Sequence, residues 1–369
     1  MTSCFYNPTA FRVAPEMAGW DAIRVTEYAP LLDARLEMNS RPAIGYLRGL
    51  GCVIAFTLDC AQPYYSEVVF RVVVLDCATD KAVWAFRVRR RNPAHSMFFK
   101  CHLTFVSGGG GRDPLLVLAV DQSMVVLELV VPEDTTCMAL GVRSRARFPL
   151  TGEPVSVAGR WDSEGHMHLA ALTRVIGDVH YGKHVETCIV NVDTGVVLGA
   201  RKFAVPSDSI GVKFGSDGDT VCVAIPWNAH SRAVVAHRAS DGEKLWFVPQ
   251  QSEGMRVWVH TGMPMVEVKG EWLLGNPRNV LRVTQDSCLG AVFGQRGAVG
   301  MELVPGVGLV AVSADNGVWV ANCPALDDAQ DAMRMGNMTN MRVQWMAAVY
   351  RGCLRRAVLC SRGSKKCRV

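Results

Sequence analysis

"HRASDGEKLWFV" (residues 237–248) places an Asp-Gly pair just ahead of a tryptophan, between two apolar runs. Asp-Gly suits a two-residue hairpin turn, because glycine takes a positive φ at little cost and such turns match the twist of the flanking strands. The same stretch closes a longer pattern, "IGVKFGSDGDTVCVAIPWNAHSRAVVAHRASDGEKLWFV" (210–248). That pattern reads as a strand, an Asp-Gly turn, a second strand, a loop, a third strand, a second Asp-Gly turn and a fourth strand. Four antiparallel strands in about forty residues form one self-contained sheet unit.

The unit recurs. "DCATDKAVW" (76–84), "NVDTGVVLG" (191–199) and "RASDGEKLW" (238–246) align without gaps, each giving a polar residue, a turn and an apolar strand. Looser relatives occupy 102–131, 155–192 and 301–323. The pattern predicts an all-β fold, a β-propeller of four-stranded antiparallel blades, as a single domain over residues 1–369. Blades are expected at 41–91, 98–148, 153–205, 209–250, 254–294 and 298–335. A seventh blade is expected from 340–369, because 355–369 has the layout of 308–322, with an N-terminal strand such as "AIRVTEY" (22–28) completing it. Shared blades of this kind close propellers and leave fewer open edges. Six blades with a trailing helix is the alternative. Short helices are expected at 28–39 and 323–335, the second with acidic residues early and arginine late, as a helix dipole favours.

The three aligned turns resemble the repeat of quinoprotein-type (PQQ-like) propellers, in which Asp-x-x-Thr-Gly-Lys-x-x-Trp joins the third and fourth strands. Asp80 stands in place of Gly, Asp241 in place of Thr and Gly199 in place of Trp. The resemblance to WD-repeats is looser, since Trp161-Asp162 precedes a second strand and no Gly-His pair opens a blade. Quinoprotein resemblance implies an enzyme using pyrroloquinoline quinone with Ca²⁺. The chain shows no adjacent cysteine pair and no Asp/Asn/Glu cluster of the Ca²⁺-binding kind, so no cofactor is expected.

Composition agrees with a folded, strand-rich protein. Of 369 residues, 49% are hydrophobic and 20% charged, with 34 glycines. The net charge of +5 permits an anionic partner without demanding one. The 13 cysteines include no Cys-x-x-Cys, and several sit in apolar runs such as "TVCVAI" (220–225). Such cysteines behave as small hydrophobes, which points to a reducing compartment without disulfides. "MTSCFYNPTAFRVAPEMAGW" (1–20) lacks the basic start and apolar stretch of a secretory signal, and no run reaches membrane-spanning length. Cytoplasm is the expected location, with the nucleus as alternative.

Candidate chemistry is sparse. "GDVHYGKH" (177–184) misses a phosphate-binding loop at His184 and lies between strands rather than before a helix, so it reads as a hairpin loop. "VSGGGGRDP" (106–114) reads as a flexible blade loop. His166 and His168 share a strand face, and with Asp193 opposite they are weak candidates for a metal site. No Gly-x-Ser-x-Gly elbow and no triad spacing occurs, so no catalytic residue is nominated. Arg87, Arg89, Arg90 and Arg91, and the alternating Arg143, Arg145 and Arg147, fall on expected outermost strands. They either keep sheet edges from pairing or form a basic interaction surface. Beyond Asp331 the chain has no acidic residue, and 340–360 reads as strands of the closing blade or as a basic amphipathic helix. The expected function is a non-catalytic scaffold binding protein partners through propeller faces. Binding of nucleic acid or an acidic partner by the arginines is the alternative, and a quinoprotein-like enzyme a more distant one.

Overall fold

The computed structural model describes residues 20–22, 42–48, 50–59, 67–76, 81–91, 101–106, 113–120, 122–131, 140–175, 182–206, 209–226, 231–251, 263–268, 270–275, 279–286, 288–292, 297–304, 308–312, 318–321 and 343–345. They build six antiparallel sheets. The first contains β1 (Trp20–Ala22), β2 (Ala43–Leu47), β3 (Gly51–Asp59), β4 (Glu67–Asp76) and β5 (Lys81–Arg91), in the order β1-β5-β4-β3-β2. The other five are four-stranded and follow chain order. The second holds β6 (His102–Val106), β7 (Leu115–Val120), β8 (Ser123–Val130) and β9 (Gly141–Pro149), and the third β10 (Glu153–Trp161), β11 (Met167–Arg174), β12 (His184–Asn191) and β13 (Val196–Ala204). The fourth holds β14 (Gly211–Phe214), β15 (Thr220–Pro226), β16 (Ser231–Arg238) and β17 (Lys244–Gln251). The fifth holds β18 (Met265–Val268), β19 (Glu271–Gly275), β20 (Val280–Val283) and β21 (Cys288–Val292). The last holds β22 (Gly300–Val304), β23 (Gly308–Val312), β24 (Val318–Ala321) and β25 (Val343–Trp345).

The first strand of each unit lies innermost. Each of β2, β6, β10, β14, β18 and β22 touches the next, and β22 touches β2, so the sheets close into a ring. The fold is a β-propeller. The described residues close the ring with six sheets rather than the seven expected. β25, from the segment assigned to the closing blade, is instead the outer strand of the last sheet, and β1 adds to β5. Residues 355–369 and the helices expected at 28–39 and 323–335 lie outside the described residues, among which no helix occurs.

Sheets stacked around a ring bury both faces of their middle strands, which is why these strands read as continuous apolar runs rather than alternating ones. All six residues of "LLVLAV" in β7 are buried. Successive residues feed opposite seams. Leu116 and Leu118 pack with Val72, Val74 and Trp84 of the first sheet, while Leu115, Val117 and Ala119 pack with Leu169 and Ala171 of the third. Similar seams follow between later sheets. Turns form at both Asp-Gly pairs of the fourth sheet, with Gly218 at φ 86 and Gly242 at φ 82. The expected two-residue turns are corrected: Gly215 bonds Thr220 and Arg238 bonds Glu243, so each loop is longer than the Asp-Gly pair.

A bulge marks the outer strand of five sheets. The ladder between third and fourth strands admits one extra residue at Val83, Arg145, Leu198, Leu245 and Leu289. The aligned nonapeptides therefore superpose in register: Trp84, Gly199 and Trp246 each pair just after the bulge. A bulge inverts the inside–outside alternation of the strand beyond it.

Candidate functional site

Asp162, rather than Asp193, stands beside the two histidines. It sits in the turn between β10 and β11, where its Oδ1 accepts the amides of Glu164 (2.9 Å) and His166 (2.7 Å). Its Oδ2 lies 2.9 Å from His168 Nε2 and 3.3 Å from His166 Nδ1. Asp193 lies elsewhere, 3.8 Å from the Arg145 guanidinium, and His168 pairs across the sheet with Ile189. The expected His166–His168–Asp193 grouping is thus corrected: both Asp162 oxygens already hold a hairpin closed. Among the described residues no group of three or more His, Cys, Asp or Glu is placed to hold a metal ion.

Burial alone raises the Asp162 carboxyl. The His168 hydrogen bond, the His166 amide and the charges of both imidazoles outweigh it and bring the pKa down from 3.8 to about 2. A carboxyl whose pKa falls on folding adds stability that is complete above its unfolded value and is lost as pH falls through the folded one. Asp162→Ala strands two turn amides and is expected to cost about 1–3 kcal/mol at pH 7. The difference from wild type should shrink in thermal melts taken from pH 5 to pH 2. A constant difference across that range would show that the carboxylate charge plays no part.

Other acidic turn residues are engaged in the same way. Asp217 Oδ1 accepts the amides of Asp219 (3.1 Å) and Thr220 (2.9 Å). Asp219 bonds the Ser240 amide (2.9 Å), joining the two turns of the fourth sheet. Arg160 of β10 donates to Gly215 O (3.3 Å), and Glu267 of β18 accepts from the Ser216 amide and hydroxyl. A polar chain thus ties the third, fourth and fifth sheets through the β14–β15 turn. Lys183 of the phosphate-loop look-alike is buried and donates to Ser209 O at 2.8 Å.

The arginine strip is divided. With Arg145 as the bulge, Arg147 pairs with Val125 and Arg143 with Glu128, residues on opposite faces of β8. Val125 packs toward the first sheet and Val126, its neighbour, toward the third. The expectation that Arg143, Arg145 and Arg147 share one face is therefore corrected. Arg145 lies 2.9 Å from Glu128, with Arg143 at 3.9 Å, so one carboxylate offsets both. Arg87, Arg89, Arg90 and Arg91 pair along β5 with Arg71, Val69, Val68 and Glu67, and their side chains lie outside the described residues.

At the centre, the inner strands line a small cavity of about 50 Å³ that is partly open to solvent. Lys213 of β14 and Glu302 of β22 meet there at 2.5 Å, joining the fourth and last sheets. Cys52, Cys101, Cys188 and Cys222 are buried thiols rather than disulfides. Burial, then the Glu186 charge, pushes the Cys188 thiol up to about 12, so it is not a nucleophile at neutral pH.

The surface that sequence reasoning missed is the outer strand of the third sheet. β13 is exposed along most of its length, including Val196 (53%), Val197 (42%) and Leu198 (51%), and then Arg201 and Lys202. Gly199 stands where Trp84 and Trp246 stand in the first and fourth sheets, and a Cβ on it would meet nothing within 4 Å. The missing tryptophan is visible in the aligned repeats. Exposure at the bulge does not depend on it, since Leu245 beside Trp246 is 39% exposed as well.

These features define a β-propeller whose acidic and histidine turn groups hold its hairpins. No protein-family model matches the sequence, and no curated relative does. Among solved structures, Chaetomium thermophilum Sqt1 bound to the N-terminus of ribosomal protein L10 is similar at 13% identity, over 79% of this chain and 73% of that one, with a TM-score of 0.45. A putative 6-phosphogluconolactonase from Bacteroides uniformis is similar at 12% identity, over 77% and 81%, with a TM-score of 0.44. Trypanosoma rangeli sialidase in complex with the inhibitor DANA is similar at 13% identity, over 80% and 57%, with a TM-score of 0.46.

Proposed function

We propose that this propeller, of six blades with a fifth strand on the first, is a non-catalytic scaffold that binds protein partners in the cytoplasm. The observation that carries the reading is the outer strand β13, where three apolar side chains and two cations stand exposed together. Large apolar side chains gathered on one exposed strand mark interaction surfaces more often than chance does. The buried thiols support a reducing compartment.

The arginines offer the competing reading, a nucleic-acid surface. Division of Arg143 and Arg147 between two faces, and the Glu128 contact of Arg145, weaken it. A pull-down of tagged protein from native extract, at low and high salt and with and without nuclease, separates the two. Protein partners that survive both treatments are the expected result. Partners lost with salt or nuclease would move the function to the arginines, since phosphate contacts weaken steeply with salt.

A further inference from the structure

Among the described residues, no strand pairs with the outer edge of the third sheet, whereas the equivalent edge of the first sheet carries one. There β1 runs antiparallel to β5, with Trp20 opposite Val88, Asp21 opposite Arg87 and Ala22 opposite Phe86. Counting from the bulges at Val83 and Leu198 gives the corresponding positions on β13. Phe86, Arg87 and Val88 correspond to Arg201, Lys202 and Phe203. The cation opposite the acidic residue is therefore kept: Lys202 stands where Arg87 does. The edge is exposed from Val196 to Leu198, and the tryptophan that follows the bulge in β5 is Gly199 here.

We infer that β13 takes an extended segment of a partner protein as a fifth strand, with an acidic residue opposite Lys202 and an apolar residue reaching Leu198. This rests on the scaffold reading and names the partner's chemistry. Strand addition satisfies the free amides and carbonyls of a sheet edge, and alternate side chains supply the specificity. Direction follows from the β1 precedent. An antiparallel strand carrying its acidic residue opposite Lys202 runs from there toward Val196, so its fourth following residue lies opposite Leu198. Charge agrees at both ends. Arg201 and Lys202 are exposed, with Lys202 held only loosely by Glu186 at 3.8 Å, and Val196 to Leu198 offer no charge to repel an apolar partner. Natural sheet edges are commonly guarded by charge or proline, and the first half of β13 carries neither.

The chain's own "GWDAIRVTEY" (19–28) has this spacing, with Asp21 followed at the fourth position by Val25, and serves as the probe. Fluorescein-labelled peptide of that sequence is titrated into the full chain and followed by anisotropy. Variants are Leu198→Glu and Lys202→Glu, both at exposed positions, with melting temperatures measured to show that they fold. Leu198→Glu should weaken binding at least about tenfold, as loss of an apolar anchor predicts. Lys202→Glu should weaken it about fivefold, and a peptide with Asp21→Lys should recover that loss, as cross-strand charge pairs do. Equal binding by all three proteins, or no binding to wild type, would overturn the inference. So would a single-stranded oligouridine that binds wild type and loses affinity in Lys202→Glu while the peptide does not bind. The extract pull-down separates the two levels. If Leu198→Glu keeps every partner of wild type, this site is wrong and the scaffold reading stands; if wild type keeps no partner after salt and nuclease, the scaffold reading falls.

Discussion

Glu271→Ala is expected to lower stability by about 3–5 kcal/mol, the cost of breaking a buried ion pair from one side. Arg282 of β20 is only 8% exposed, and its guanidinium grips Glu271 through Nε–Oε2 (2.6 Å) and Nη2–Oε1 (2.5 Å). Its surroundings make the loss large. Arg282 pairs with Leu273 across the sheet and shares its face with Val280, and both pack into the seam between the fifth and last sheets. Without Glu271 the cation stays in that seam with its main acceptor gone. A native protein has about 5–15 kcal/mol in total, so the variant should melt far below wild type. Replacing both partners by apolar residues, Glu271→Leu with Arg282→Met, should recover most of the loss, because the pair contributes little beyond neutralising its own burial. Denaturant midpoints of the two single variants and the double variant give the coupling directly. A Glu271→Ala variant within about 1 kcal/mol of wild type would mean that water solvates Arg282 in the folded state.

That pair was not legible in the sequence, and the reason separates what was legible from what was not. Glycine's tolerance of positive φ leaves a local mark, so the turns at Gly218 and Gly242 could be read from two residues each. Apolar runs bounded by such turns likewise gave the strands of the fourth sheet. A bulge leaves no such mark. Val83, Leu198, Leu245 and Leu289 at the bulges are aliphatic like most strand residues, and Arg145 is a cation, yet each inverts its strand, and so the arginines that alternate in sequence do not share a face. The histidine cluster failed for a related reason. In the sequence Asp162 is only half of a Trp-Asp pair, while the expected hairpin register sets Asp193 opposite the histidines; the pairing of His184 with Thr173 places it otherwise. Contacts across the ring were beyond reach altogether. Lys213 and Glu302 meet over 89 residues of chain, with no local pattern to join them.

Ring closure makes the second large prediction. Every seam but one joins sheets that follow each other in the chain; the exception lies between the last sheet and the first, where β22 meets β2. Gly300 opens β22 there, and a Cβ on it would lie 2.8 Å from the Pro42 carbonyl oxygen and 2.8 Å from Pro42 Cγ. Its φ is not in the left-handed region, so space alone demands glycine. Backbone cannot rotate aside as a side chain can, and Gly300→Val is expected to cost about 3 kcal/mol or more, at the upper end of overpacking. The strain has a particular outlet: sheets not joined in sequence can part, while neighbouring sheets stay tethered. Hydrogen exchange should therefore quicken in β2 and β22 before β10 and β14. Gly275→Val provides the contrast, since its Cβ meets the Ala298 carbonyl at 2.9 Å in the tethered seam between the fifth and last sheets. It should lose comparable stability without selective exchange in β2. Gly199→Ala, with nothing within 4 Å, should leave the ring unchanged. Uniform exchange in Gly300→Val would show that closure is no weaker than the other seams, and that the propeller unfolds as one unit.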